Sequence, residues 1–284
     1  MGELGYISKS QDNLNIAYNN LEEYLADLKK ALTTDHPRYK TLGTKVGDEY
    51  IQLNTAIIQI ENEYYSSIRP KRLVGSGERP INALRENGIE YVEIRALDNN
   101  IYDPFGISDE TAIFLESFLF YCLLCEDQPC DADEIIKIQN NWGKVVLSGR
   151  DENTELQFKE GSAPLKERAI EILDAMTNLE DRIGDLGYRN IYKKSLESQR
   201  LKISDSNLTP SGKLLQDITE SGLSWDEYTD QIAKSHKEEI LKSKRDVDYL
   251  EEQAKKSLEE FAIKGAQKEK DFDSFLAEYL SAIE

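Results

Sequence analysis

The sequence predicts an α+β fold, with strands gathered in its first third and helices filling the rest. Three observations carry this. Residues 88–98, GIEYVEIRALD, alternate as a strand does. Residues 50–68 form a second stretch rich in β-branched residues. From about residue 109 onward, apolar residues recur at helical spacing between charged ones.

Taking the chain in order, residues 1–6 begin abruptly, with Gly2, Leu4, Gly5 and Tyr6 reading as a strand end or loop, so something is expected to precede them. Residues 13–32 form a helix on the stripe Leu14, Ala17, Leu21, Tyr24, Leu25, Leu28 and Leu32, and residues 38–49 form a loop with Gly43 and Gly47. In the 50–68 strand region, Glu61, Glu63 and Tyr65 fall on one face. A dense basic cluster follows, Arg69, Lys71 and Arg72, and then a Gly75, Ser76, Gly77 turn that lacks phosphate-loop spacing.

In the 88–98 strand, Glu93 and Arg95 share a face, roughly 7 Å apart along the chain. Two readings are open for them. One is a cross-strand ion pair on a solvated face. The other is a site, with Glu93 holding a hard cation and Arg95 an anion that the cation also touches.

Residues 99–107 form a loop, and Ser108 caps a helix over 109–126 whose first turn is acidic. That helix is apolar on most sides and is expected to be buried. Its Cys122 and Cys125 read as small core residues rather than a redox or zinc pair, since no second cysteine pair exists. Further helices are expected over 132–147, 164–184, 189–198, 210–222, 225–242 and 247–284, with a short strand near 156–158. His36 and His236 read as surface residues. The domains divide as 1–108, part of a sheet domain, and 109–284, mainly helical.

With 284 residues the chain has room for one large or two ordinary domains. A net charge of −19 argues against nucleic acid or an anionic membrane as the main partner. The longest apolar run, 113–125, is interrupted and too short to span a bilayer, no secretory signal opens the chain, and three cysteines make no disulfide framework. A soluble, cytoplasmic protein fits best.

Several blocks together, MGELGYISKSQDNLNI, QIENEYYSSIRPKR, GIEYVEIRALDNNIYDPFGI, the FLFYCLL helix and NNWGKVVLSGR, resemble the carboxyl-terminal half of a glutamate–cysteine ligase of the proteobacterial type. The resemblance implies a curved antiparallel sheet like that of glutamine synthetase, here partial, with helices outside. It implies ATP-dependent joining of the γ-carboxylate of L-glutamate to the amine of L-cysteine through an acyl phosphate. The product, γ-glutamylcysteine, marks the first step of glutathione biosynthesis. Carried over residue by residue, Glu93 matches a metal-binding glutamate for Mg²⁺ and Arg95 an arginine that contacts the transferring phosphoryl group. Tyr6 and Tyr65 match tyrosines lining the cysteine pocket. From their charge, Arg69, Lys71 and Arg72 are expected to approach the ATP phosphates, with a solvated loop as the alternative, whereas Glu61 and Glu63 read as acidic residues on an open sheet face, with added cation ligation as the alternative. Family members are longer at the amino end, where most magnesium ligands lie. An amino-terminal half is therefore an expected partner, and a chain inactive by itself is the alternative to an active ligase. A halved sheet is also expected to expose apolar surface and to associate.

Overall fold

The computed structural model describes residue 11 and residues 14–183, 189–242, 247–266 and 270–283. The chain is α+β, with eleven helices and six short strands among the described residues. The sheet component consists of three separate two-stranded antiparallel pieces. No helix among the described residues is long and apolar enough to cross a membrane.

The chain forms two compact units. Among the described residues, one unit takes those before Leu97 together with those from Lys242 onward, and the other takes residues 97–241. The units thus divide at a different place from the sequence-based boundary after residue 108: residues 97–108 belong with the helices, and the C-terminal stretch with the N-terminal segment.

In the first unit, helix α1 (Leu21–Thr33) buries Tyr24, Leu25, Leu28, Ala31 and Leu32. It starts well after residue 13, where the apolar spacing placed it. The Asn20 side chain accepts the Glu23 N–H at 2.9 Å, and asparagine favours such a cap over a helix interior. Residues 14–18 run outside any helix or strand, yet Ile16 still reaches the core at 4% exposure. The expected loop at 38–49 instead holds helix α2 (Pro37–Leu42) and a hairpin of β1 (Lys45–Val46) and β2 (Glu49–Tyr50).

The expected strand over 50–68 does not form. Between Tyr50 and Ile68, side chains take backbone groups that a ladder would have used. Gln52 donates to the carbonyls of Tyr39 and Gly43, the Leu53 N–H goes to Gln59 Oε1, and the Gln59 N–H goes to Glu63. A 3-10 turn at Glu61–Glu63 follows, and only then β3 (Ile68–Lys71). It pairs with β4 (Tyr91–Ile94) so that Arg69 faces Glu93 and Lys71 faces Tyr91. Between them lies helix α3 (Pro80–Asn87), which the sequence reading passed over although proline opens it and Gly88 closes it.

Ile16, Leu25, Leu28, Leu32, Ile58, Ile81 and Leu84 form this unit's core. Each fully buried side chain of this kind contributes about 1.5–3 kcal/mol. The expected 247–284 helix is two helices, α10 (Val247–Ala266) and α11 (Phe272–Ser281). Helix α11 is fastened to α3 and the β1–β2 hairpin. Arg79 donates to the Tyr279 carbonyl at 3.1 Å, Asn82 donates to that of Ala282 at 2.6 Å, and Lys45 and Tyr50 both bind Asp273.

The second unit holds α4 (Asp109–Leu124), α5 (Ala132–Ser148), the hairpin β5 (Glu155–Phe158) and β6 (Gly161–Pro164), α6 (Leu165–Ile183), α7 (Arg189–Ser204), α8 (Pro210–Ser221) and α9 (Trp225–Lys242). Ser108 caps α4 as expected, accepting the Thr111 N–H at 3.2 Å. Helix α4 is not buried all round, however. Phe114, Phe118 and Tyr121 pack on the core residues Leu173, Met176 and Leu196. Leu123 and Leu124 stay 77% and 58% exposed, and Cys122 and Cys125 are exposed rather than core residues. A helix apolar on every side carries no stripe to say which face its neighbours cover. Elsewhere in this unit Tyr102, Tyr228 and Lys213 converge on the Asp217 carboxylate at 2.6, 2.9 and 2.6 Å. Neither histidine is a free surface group. His236 Nε2 lies 2.8 Å from the Ile101 carbonyl, and in the first unit the His36 ring packs on Tyr39.

Candidate functional site

The β3–β4 pair puts four charged side chains on one face. Antiparallel register sets residues directly opposite one another on the same side, and the period of two adds their second neighbours. Arg69 and Lys71 from β3 therefore meet Glu93 of β4 and Arg95 just past its end. The other face carries Ile68, Pro70, Val92 and Ile94.

Glu93 is the hub. Its Oε2 accepts from Arg69 Nη2 at 2.8 Å and from Arg69 Nε at 3.2 Å, and lies 3.6 Å from Lys71 Nζ. Its Oε1 accepts from Arg95 Nη2 at 2.9 Å. The Arg95 hydrogen bond, with help from Arg69 and the positive charge of Lys71, holds the Glu93 carboxyl down at about 2 against partial burial. The same contact raises the Arg95 guanidinium above its ordinary value. Three cations against one carboxylate leave the cluster net positive.

Burial divides the cluster. The Arg69 side chain is 5% exposed, that of Arg95 35% and that of Lys71 23%. Arg69 Nη1 also donates to the Tyr64 carbonyl at 2.7 Å. The Tyr65 ring lies beside both guanidiniums, 5.2 Å from Arg95 and 5.9 Å from Arg69, within cation–π reach.

Of the residues expected at a site, the structure brings Tyr65, Arg69, Lys71, Glu93 and Arg95 together. Arg72 is elsewhere. It donates to the carbonyls of Gly88 and Asn87 at 2.8 and 2.6 Å and so caps the end of α3. Tyr6 lies outside the described residues. Glu61 is not an open-face carboxylate. It is buried and held by both Nε and Nη2 of Arg79 at 3.0 Å, while Glu63 accepts a backbone N–H. Arg79 itself escaped the sequence reading; the Arg-Pro pair ahead of an apolar helical spacing was the available signal.

A hard divalent cation takes six or more oxygens, several of them commonly carboxylate. Among the described residues no group of three or more His, Cys, Asp or Glu is placed to hold a metal ion. Glu93 supplies one carboxylate, already surrounded by cations. The described residues therefore do not fit a Mg²⁺ site by themselves.

A family model described as Glutamate-cysteine ligase matches residues 1–145. The glutamate–cysteine ligase of Pseudomonas fluorescens is 38% identical over 286 residues, which is 100% of this chain and 54% of that protein. That of Alcanivorax borkumensis is 38% identical over 287 residues, 98% of this chain and 55% of that protein. Among solved structures, a glutamate–cysteine ligase from Francisella tularensis in complex with AMP superposes with a TM-score of 0.89 at 30% identity, covering 99% of this chain and 56% of that one. A bifunctional glutathione synthetase from Pasteurella multocida, at TM-score 0.58 and 17% identity, shares the fold alone. The chain spans about half the length of the curated relatives it matches. Over that span the likeness takes in the strands that build the Glu93 cluster, and the chain belongs to the glutamate–cysteine ligase family.

Proposed function

We propose that this chain supplies part of the catalytic apparatus for ATP-dependent ligation of L-glutamate to L-cysteine, giving γ-glutamylcysteine, the first step of glutathione biosynthesis. The observation that carries the reading is the net-positive cluster on one face of β3–β4, with Arg95 at its exposed edge. The relatives' names and the AMP held by the Francisella tularensis enzyme support it.

The chemistry needs such a cluster. A carboxylate is a poor acyl donor, so its oxygen must first take the terminal phosphoryl group of ATP, releasing ADP. The cysteine amine then displaces phosphate from the acyl phosphate. Glutamate and ATP repel one another, and bringing them together requires fixed positive charge. In this reading the Arg95 guanidinium lies against the transferring phosphoryl group. Lys71 adds positive charge beside it. Tyr65 lines the cysteine pocket, its ring kept in place by the guanidinium next to it. The family chemistry also calls for Mg²⁺. Glu93 offers it one oxygen at most, and the other ligands have to come from outside the described residues.

A second reading is favoured by one observation, the 54% of the relative's length that the chain spans. In it the chain is inactive alone and needs a separate polypeptide equivalent to the remainder of a relative.

The test is ADP release by the purified chain with ATP, a magnesium salt, L-glutamate and L-cysteine, each omitted in turn. Release that needs both amino acids supports the first reading and overturns the second. No release alone, but release once the remaining portion of a relative is added, supports the second. No release in either case overturns the proposed ligation.

A further inference from the structure

We infer that Arg69 is a positioning residue that holds Glu93 in place, and not a contact for nucleotide phosphates. This deepens the proposed reading of the cluster and rests on it.

The two arginines share one carboxylate unequally. Arg69 takes Oε2 with two donors, Nε and Nη2, and anchors its own third nitrogen on the Tyr64 carbonyl. Arg95 takes Oε1 with a single nitrogen. Arg69 is a buried residue at 4% exposure, and Tyr64, which receives it, is buried at 8% with its hydroxyl 3.2 Å from that of Tyr18. The fork is thus fixed from the strand opposite and from the segment leading into β3.

Exposure decides what each contact does. The Arg95–Glu93 pair is the more exposed of the two, so solvent screens it and its arginine can change partners. Withdrawing a buried guanidinium from its carboxylate leaves charge stranded in a poorly solvated place, which is strongly unfavourable. An anion arriving at this face therefore draws Arg95 away and leaves Glu93 pinned through Oε2, with only Oε1 released. Arg69 is committed before any ligand arrives. A lysine in its place has no planar fork to span Glu93 and the Tyr64 carbonyl together.

The experiment is ¹⁵N NMR of the arginine Nε–H groups in the full chain. In the native chain, Arg69 Nε–H is expected to exchange with solvent at least about tenfold more slowly than Arg95 Nε–H, the ratio that about 1.4 kcal/mol of protection provides. Glu93→Gln removes the carboxylate charge, and Arg69 protection is expected to fall toward that of Arg95. Titration with inorganic phosphate, and separately with AMP, is expected to move the Arg95 resonance and leave that of Arg69 in place. Equal exchange of the two groups in the native chain overturns the inference, whatever the variant does. So does an Arg69 resonance that follows phosphate or AMP as Arg95 does. Should neither arginine respond to either anion while Arg69 stays protected, the positioning role stands and the phosphoryl contact of Arg95 in the proposed function fails.

Discussion

Replacing Arg79 by methionine removes the most deeply buried charge in the first unit. The Arg79 and Glu61 side chains are 0% and 5% exposed, and their two nitrogen–oxygen contacts are both 3.0 Å. The guanidinium also lies 4.3 Å from the Tyr279 ring centroid and donates to the Tyr279 carbonyl. A surface ion pair contributes about 0–1 kcal/mol. Burial changes the outcome, because Arg79→Met leaves the Glu61 carboxylate in place without its cation, and breaking a buried pair in this way costs about 3–5 kcal/mol. Both tryptophans, Trp142 and Trp225, lie in the other unit, so their fluorescence does not report this loss. Amide hydrogen exchange along α1 does, since its buried side chains share a core with Ile81 and Leu84 of α3. Protection there is expected to drop by about two to nearly four powers of ten, at 1.4 kcal/mol per tenfold. The pair Arg79→Met with Glu61→Leu is expected to regain most of it, because no charge is then left stranded. Exchange along α11 is expected to rise with the single variant as Tyr279 loses its anchor. A loss below about 1 kcal/mol for Arg79→Met would show that water reaches Glu61, and the argument from burial would fail.

The Asp217 carboxyl is held at about 2 by Lys213, Tyr102 and Tyr228, well below its ordinary 3.8, so its contribution to stability is present above pH 3.8 and is lost as pH falls toward 2. Tryptophan-monitored unfolding is expected to show that acid loss in the native chain and less of it in Asp217→Asn; identical pH profiles would contradict this. Gly88 closes α3 at φ 73 and ψ −173, a conformation that L side chains avoid, and a Cβ there meets nothing within 4 Å. Gly88→Ala is therefore expected to cost about 1–3 kcal/mol from backbone strain alone, read by hydrogen exchange along α3. In whichever assembly releases ADP, Arg95→Ala is expected to lower kcat by about 10²–10³-fold with circular dichroism unchanged, and near-native turnover would remove Arg95 from the chemistry. Leu123 and Leu124 form part of an open apolar face on α4. Sedimentation is expected to show concentration-dependent association that Leu123→Glu weakens, and a single sharp monomer boundary for the native chain would count against it.

Local pattern was enough for much of the helical part. Ser108 as a cap, the 132–147 and 225–242 helices, and the break before Pro210 were readable because capping, periodicity and proline act within a few residues. Alternation in 88–98 was enough to put Glu93 and Arg95 on one face, and the resemblance of the surrounding blocks gave that pair its meaning. The same kind of pattern misled at 50–68. Ile57, Ile58 and Ile60 looked like a strand, but Gln52, Asn54 and Gln59 bind backbone across turns whose partners lie up to thirteen residues away.

What the sequence by itself determined is therefore the α+β class, most of the helices and the pairing of charges along β4. Only the tertiary structure decided which charges face one another across strands and which are buried. Arg69 reads from sequence as one more basic residue in an exposed loop, and becomes the buried fork on Glu93 because β3 pairs with β4 in that register. Glu61 reads as an open-face carboxylate, and is sealed beneath α3 and α11 with Arg79. The reason is range: side-chain period and capping are set by neighbours a few residues apart, whereas desolvation and ion pairing depend on groups brought together from 18 to about 200 positions away.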